Sequence, residues 1–62
     1  MPIVKVDLWE GQPKEKKAEM AEAVATDFSR ILGCSKDAVI VIFNDVELSS
    51  WSVGGKLVSD TV

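Results

Sequence analysis

Hydrophobic and polar side chains alternate from Pro2 to Leu8, and this pattern predicts a first β-strand, because successive strand side chains point to opposite faces. One predicted face is apolar and carries Val4, Val6 and Leu8. The other predicted face is mixed and carries Ile3, Lys5 and Asp7. The following Glu10-Gly11-Gln12-Pro13 run breaks the alternation and indicates a turn.

The pattern then becomes helical from Pro13 to about Leu32. Apolar side chains recur three and four residues apart and form one stripe: Ala21, Val24, Ala25, Phe28, Ile31 and Leu32. Pro13 suits the first position of a helix, and Gly33 suits a left-handed residue that ends one. Gln12 is a poor N-cap, so we expect the start of this helix to be weakly capped.

A second strand is predicted by the uninterrupted apolar run from Ala38 to Phe43, which is typical of a strand covered on both faces. Asn44 to Ser50 is predicted to be a polar loop, and Trp51 to Val58 a tail with a Gly-Gly turn between short strands. A strand, a helix and a strand make one β-α-β unit with parallel strands. We therefore expect a single α+β domain over residues 1–62, with a hairpin-like tail.

The chain is too short to be comfortably stable as a monomer, because 62 residues bury only roughly 60% of their unfolded surface. Cys34 is the only cysteine and there is no histidine, so neither an internal disulfide nor a zinc site is expected. One helix also covers only one face of two strands and leaves two strand edges open. These features predict a symmetric oligomer.

The charge pattern excludes some function classes. The net charge is −3 and no basic patch is present, so a nucleic-acid partner is not expected. The N-terminus lacks the basic and apolar regions of a signal peptide, and no apolar run reaches the length of a membrane span. A lone cysteine fits a reducing compartment, and we expect a soluble, cytoplasmic protein.

Pro2 has two interpretations. Proline is tolerated at the first residue of a strand, where no hydrogen-bond donor is needed. If Met1 is removed, however, the nitrogen of Pro2 becomes a secondary amine. Such an amine can act as a base, because N-terminal amines titrate within a few pH units of neutrality.

Several segments together resemble 4-oxalocrotonate tautomerase and its relatives, nearly from end to end and at the family's length. They are Pro2-Ile3-Val4, Leu8-Trp9-Glu10-Gly11, Lys16-Lys17, Val39 to Phe43, and Trp51 to Leu57. The resemblance implies a β-α-β protomer in a homohexamer built from three dimers. It also implies catalysis by an N-terminal proline, with no metal or cofactor.

The resemblance implies that Pro2 takes a proton from the hydroxyl of a 2-hydroxy-dienoate and returns it to a carbon. The product would be the conjugated 2-oxo acid. Trp51 matches the family's pocket aromatic residue, and Trp9 aligns with a residue that lines a neighbouring subunit's part of the pocket. For both tryptophans, packing at a subunit interface is the alternative role. An apolar wall would lower the pKa of the amine by disfavouring its charged form.

Two positions depart from the family pattern. Gln12 and Ile40 stand where the family's tautomerase has arginines that bind the substrate's carboxylates and carbonyl region. Losing both charged contacts is expected to cost several kcal/mol, on the order of 10³-fold in efficiency. Arg30, the only arginine, aligns with no pocket position and is interpreted as a cation near the end of the helix. Lys5 is an alternative candidate for the pocket rim or a subunit interface.

Three functional hypotheses therefore stay open. The chain is a tautomerase of altered specificity, or the proline-bearing subunit of a hetero-oligomer whose other chain supplies arginines, or a tautomerase-fold oligomer without activity. Retention of Pro2, Trp51 and Gly54-Gly55 favours the first two, whereas Gln12 and Ile40 favour the last two.

Overall fold

The computed structural model describes all residues from Met1 to Val62 and contains one long helix and four strands. Strand β1 spans Ile3–Trp9, helix α1 spans Lys14–Leu32 and strand β2 spans Ile40–Val46. The short strands β3 (Ser52–Val53) and β4 (Lys56–Leu57) form an antiparallel hairpin. Because β1 pairs with β2 in parallel, the predicted β-α-β unit with a hairpin-like tail is confirmed.

The two faces of the β1–β2 sheet differ in exposure. Side chains of the predicted apolar face, including Val4 and Val6 of β1, are half-buried on the side of the helix. On the opposite face Ile3, Ile40 and Ile42 remain 56%, 39% and 45% exposed. The prediction that the second strand is covered on both faces is therefore not met within a single chain.

Strand β2 begins and ends later than the sequence pattern predicts. At its start, the Ser35 hydroxyl accepts a hydrogen bond of 3.2 Å from the Asp37 amide and caps a short 3₁₀ turn, so Ala38 lies outside the strand. At its end, the Asn44 side-chain amide donates to the Asp7 carboxylate across the sheet at 3.0 Å. This cross-strand pair keeps three residues in the strand, from Asn44 to Val46, that had been expected in a loop.

The end of helix α1 follows its predicted local chemistry. Gly33 has a φ of +71°, a left-handed conformation that glycine adopts without steric cost, and its amide donates to the Ser29 carbonyl at 2.9 Å. The Ser29 hydroxyl in turn donates to the Cys34 carbonyl at 2.6 Å. At the other end Pro13 is the N-cap residue and the helix begins at Lys14, one residue later than expected.

Two longer-range ion pairs hold the helix to the rest of the chain. Lys17 near the helix start pairs with Asp45 of β2 at 2.5 Å, and Lys36 pairs with Glu22. The Lys36 ammonium lowers the pKa of the Glu22 carboxyl below its usual value of 4.5, by a hydrogen bond and by Coulombic attraction. No helix in the structure combines the length and the apolar character needed to span a membrane.

The isolated protomer is a thin slab with almost no core. It measures 43 × 24 × 13 Å, and its radius of gyration of 14.7 Å exceeds the value of about 10.6 Å expected for a compact domain of this length. Its accessible surface is 4684 Å², against about 3,900 Å² for a typical folded protein of this mass. Val58 is the one residue that is buried, at 6% exposure. We therefore expect that another chain must cover the exposed sheet face.

The slab geometry predicts that folding is coupled to association. The melting temperature should rise with protein concentration, because mass action favours the assembled folded state. Scanning calorimetry at two concentrations about a hundredfold apart measures this, with sedimentation velocity to record the assembly. The Ile42→Lys variant should melt lower and sediment as a smaller species, whereas Lys14→Met should not. A melting temperature independent of concentration would contradict the coupling.

The Glu22–Lys36 ion pair predicts a pH effect of defined sign. Because the folded-state pKa of Glu22 is lowered, the pair stabilises the fold above the unfolded-state pKa of Glu22. This contribution is lost as the pH falls through the folded-state pKa. A carbon-detected NMR titration should show the pKa of Glu22 below 4.5 in the native chain and nearer 4.5 in Lys36→Met. Equal pKa values in the two proteins would refute the assignment.

Candidate functional site

The predicted base lies at one end of the sheet, where both strands begin. Pro2 is half-buried, and its carbonyl accepts a hydrogen bond of 3.0 Å from the Ile40 amide. The next residue, Ile3, pairs with Ile40 in the parallel register. Two of the sequence-predicted site residues, Pro2 and Ile40, are therefore neighbours through the backbone of the sheet.

The two tryptophans meet at the other end of the sheet. The ring centroids of Trp9 and Trp51 lie 6.0 Å apart with the planes at 89°, an edge-to-face arrangement that aromatic pairs favour. The backbone of Trp51 is fixed by the C-terminal segment, because its carbonyl accepts a hydrogen bond of 2.8 Å from the amide of the buried Val58. The C-terminal hairpin thus closes back on Trp51, while Trp9 stays 43% exposed.

An open groove of about 530 Å³ runs beside this aromatic pair. The turn after β1 brings Gln12 into it, and that turn depends on Gly11, whose φ of +105° is disfavoured for other residues. The groove is bounded by the end of β1, by this turn and by one face of α1. Its lining residues are Leu8, Trp9, Gln12, Lys16, Glu19, Met20 and Ala23.

The sequence-predicted site residues thus form two groups at opposite ends of the chain. Pro2 and Ile40 lie where the strands begin, whereas Trp9, Trp51 and Gln12 lie where β1 ends. Trp9 lies seven positions after Pro2 along the strand, a distance of about 23 Å at the usual rise per residue. No small substrate bridges that distance, so one chain does not bring all five residues to one site.

Two cationic side chains that the sequence left as weaker site candidates, Arg30 and Lys5, lie outside the groove. Arg30, near the end of α1, is strongly exposed and lies 3.7 Å from Asp27, so it is a surface residue with a local partner. Lys5 lies on the exposed sheet face and does not line the groove. The cation that does line it is Lys16, which sequence reasoning did not assign to a site.

Glu19 and Met20 also line the groove, although neither is among the sequence-predicted site residues. A signal for them was present in the sequence. The spacing of positions 16, 19, 20 and 23 places them on one face of a helix. This face starts in the first turn of the helix, shortly after Gly11 and Gln12 in the sequence. The spacing alone does not show that this face lines a groove, because the groove also depends on how the turn positions the start of the helix against β1.

Comparison with known proteins gives the family. A family model described as tautomerase enzyme matches residues 2–61. A probable tautomerase from Streptococcus thermophilus is 37% identical over 57 residues, which cover 92% of this chain and 93% of that protein.

Solved structures of the same family have the same fold as this chain. A crystal structure of a 4-oxalocrotonate tautomerase homologue is 42% identical, has a TM-score of 0.91, and covers 97% of this chain and 95% of its own. A heterohexameric 4-oxalocrotonate tautomerase from Chloroflexus aurantiacus is 27% identical, with a TM-score of 0.90 and 97% of both chains covered. This chain therefore belongs to the tautomerase family, with the fold of the 4-oxalocrotonate tautomerase homologues.

Proposed function

We propose that this chain is a 4-oxalocrotonate tautomerase-like isomerase that uses Pro2 as its base once Met1 is removed. The anchoring of Pro2 carries the proposal. The Ile40 amide donates a hydrogen bond of 3.0 Å to the Pro2 carbonyl, so the backbone hydrogen bond that holds Pro2 in the sheet does not involve its nitrogen. Loss of Met1 would free the nitrogen as a secondary amine without releasing Pro2 from the sheet.

An apolar pocket wall, the role proposed for Trp51, would suit a base that works near neutral pH. Such a wall would disfavour the charged form of the amine and so lower its pKa. The neutral amine would take the hydroxyl proton of a 2-hydroxy-dienoate as the electrons move toward the far carbon of the diene. The protonated Pro2 would then deliver that proton to carbon, giving the conjugated 2-oxo acid.

We further propose that each site lies between chains. Pro2 lies about 23 Å from the Trp9 end of its own strand, so a substrate that touches both must touch two protomers. The exposed sheet face, with Ile3, Ile40 and Ile42, offers the apolar surface that such an assembly would bury. A cytoplasmic homohexamer built from three dimers is the assembly we favour.

Gln12 and Ile40 set the proposed specificity. Gln12 lines the groove and donates neutral hydrogen bonds, whereas Ile40 offers the substrate no polar side-chain group. A charged bidentate contact binds a carboxylate more strongly than a neutral one does. We therefore propose a substrate with fewer carboxylates than a diacid, or weaker binding of a diacid than in a tautomerase with both arginines.

A second candidate is a proline-bearing subunit of a hetero-oligomer. It is favoured by the absence of arginine at positions 12 and 40, and a relative from Chloroflexus aurantiacus is a heterohexamer. In this case a second chain would supply the arginines, and this chain alone would be nearly inert. A tautomerase fold without activity is the third alternative.

The first test is ketonisation followed by ultraviolet absorbance, with protein whose mass confirms the loss of Met1. Turnover of 2-hydroxymuconate, a diacid, is compared with that of 2-hydroxy-2,4-pentadienoate, a monoacid. We expect turnover that favours the monoacid and falls by about 10²-fold or more in Pro2→Ala, the scale of a lost general base. Protein that retains Met1 should be equally impaired, because its Pro2 nitrogen is an amide.

The outcomes separate the three hypotheses. Turnover that is insensitive to Pro2→Ala would refute Pro2 as the base. Turnover that is absent with this chain alone but appears on mixing with an arginine-bearing family chain would identify a hetero-oligomer. Absence under both conditions would leave the inactive oligomer.

Gln12→Arg provides a prediction about specificity. A guanidinium in the groove should raise kcat/KM for 2-hydroxymuconate about tenfold or more, the scale of a charge-assisted contact, and change the monoacid value little. Gln12→Met is the matched control, because it has similar length but no donor. Equal gains for the diacid and the monoacid would contradict a role for position 12 in binding the far carboxylate.

A further inference from the structure

The groove beside Trp9 contains a charged face of helix α1 that the proposed chemistry does not use. Lys16 and Glu19 lie on this face with the apolar Met20 and Ala23, at helical spacings of three, four and seven residues from Lys16. Trp9 and Gln12 line the same groove. The groove therefore combines an apolar wall with one cation, one anion and one amide.

Lys16 differs from the lysines that hold the fold together. Lys17 pairs with Asp45 at 2.5 Å, and Lys36 pairs with Glu22. Lys16 belongs to none of the chain's ion pairs, although Glu19 lies three residues away along the same helix face. Its ammonium is thus available to an anion in the groove, and no structural partner has to be displaced.

We infer that Lys16 is the carboxylate-binding residue of the groove, and that it replaces an arginine at position 12 only in part, so that a diacid binds but stays the poorer substrate. This inference rests on the proposed function, because it assigns the group that holds the end of the substrate far from Pro2. The diene would lie against Trp9 and Met20, and the far carboxylate would be bound by the Lys16 ammonium and the Gln12 amide. A monoacid lacks that carboxylate and gains nothing from Lys16.

Glu19 acts against this binding. Its carboxylate lines the same groove and repels the substrate's carboxylate, so the two helix residues have opposite effects on one ligand. Both side chains are exposed, so salt should screen both effects. A purely structural role of Lys16 and Glu19 would not produce changes of opposite sign in ligand affinity.

The test measures binding without proton transfer. The probes are hexa-2,4-dienedioate (muconate) and hexa-2,4-dienoate (sorbate), unreactive diacid and monoacid dienes, followed by tryptophan fluorescence because Trp9 lines the groove. Lys16→Met should raise the Kd for muconate about tenfold, the scale of a charge-assisted contact partly exposed to water. Lys16→Arg should restore most of the affinity, and Glu19→Gln should lower the Kd roughly twofold to threefold.

Lys14→Met is the matched control, because it removes the same charge from the same helical turn outside the groove. It should leave the Kd for muconate within about twofold, as expected for an exposed charge outside the groove. Sorbate should bind all these variants alike. Equal muconate affinities for Lys16→Met and Lys14→Met, or no muconate binding to the native chain, would overturn the assignment.

The assay also distinguishes this inference from the proposed function. Pro2→Ala should lower ketonisation by about 10²-fold or more and leave the Lys16 dependence of muconate binding intact. Pro2-dependent turnover without an effect of Lys16 on muconate would refute the role of Lys16 and leave the base in place. Lys16-dependent binding in a protein that ketonises neither enol would refute the proposed activity and retain the binding site.

Discussion

One helix can cover only one face of a two-stranded sheet, and the organisation of this protein depends on that limit. Helix α1 covers one sheet face. The isoleucines of the other face stay exposed, because no part of the same chain covers them. The result is a slab 13 Å thick in its smallest dimension, about the depth of a single layer of helix on sheet. We therefore expect a neighbouring chain to complete its hydrophobic core.

The same limit shapes the candidate site. A parallel β-α-β unit places the start of β1 and the start of α1 at opposite ends of the sheet, so Pro2 and the groove at Gln12 are separated by the full strand. Within one chain they are therefore two separate groups of candidate site residues. The association that covers the apolar sheet face is, in our proposal, also what brings a base from one chain to the recognition groove of another. Stability and activity would then depend on the same interface.

Much of the fold follows from local patterns in the sequence. Alternation in β1, the helical stripe, Gly33 and the Gly-Gly turn are short-range signals, and the structure confirms the elements that they predict. The extension of β2 through Asn44 had no local signal, because it depends on the side chain of Asp7, which is 37 residues away in sequence. Local polarity therefore indicated a loop where cross-strand pairing produced a strand.

The candidate site was harder to predict for a related reason. Pro2 and Trp51 were identified by resemblance to a family, whereas Lys16 lines the groove because the Gly11 turn sets the helix against the end of β1. A helical spacing shows which residues share a face of the helix, but it does not show which other element that face packs against. The chemical state of Pro2 depends on removal of Met1, which is usual before a small residue but is a processing step and not a property of the fold.

The separation of Pro2 from the groove has a genetic consequence under the proposed function. If one chain supplies the base and another the recognition groove, a mutant lacking Pro2 and a mutant lacking the groove should complement each other when co-expressed. Mixed assemblies would contain some sites built from the two undamaged halves. After gene duplication, the two copies could each lose a different half, and an obligate pair of specialised subunits would result.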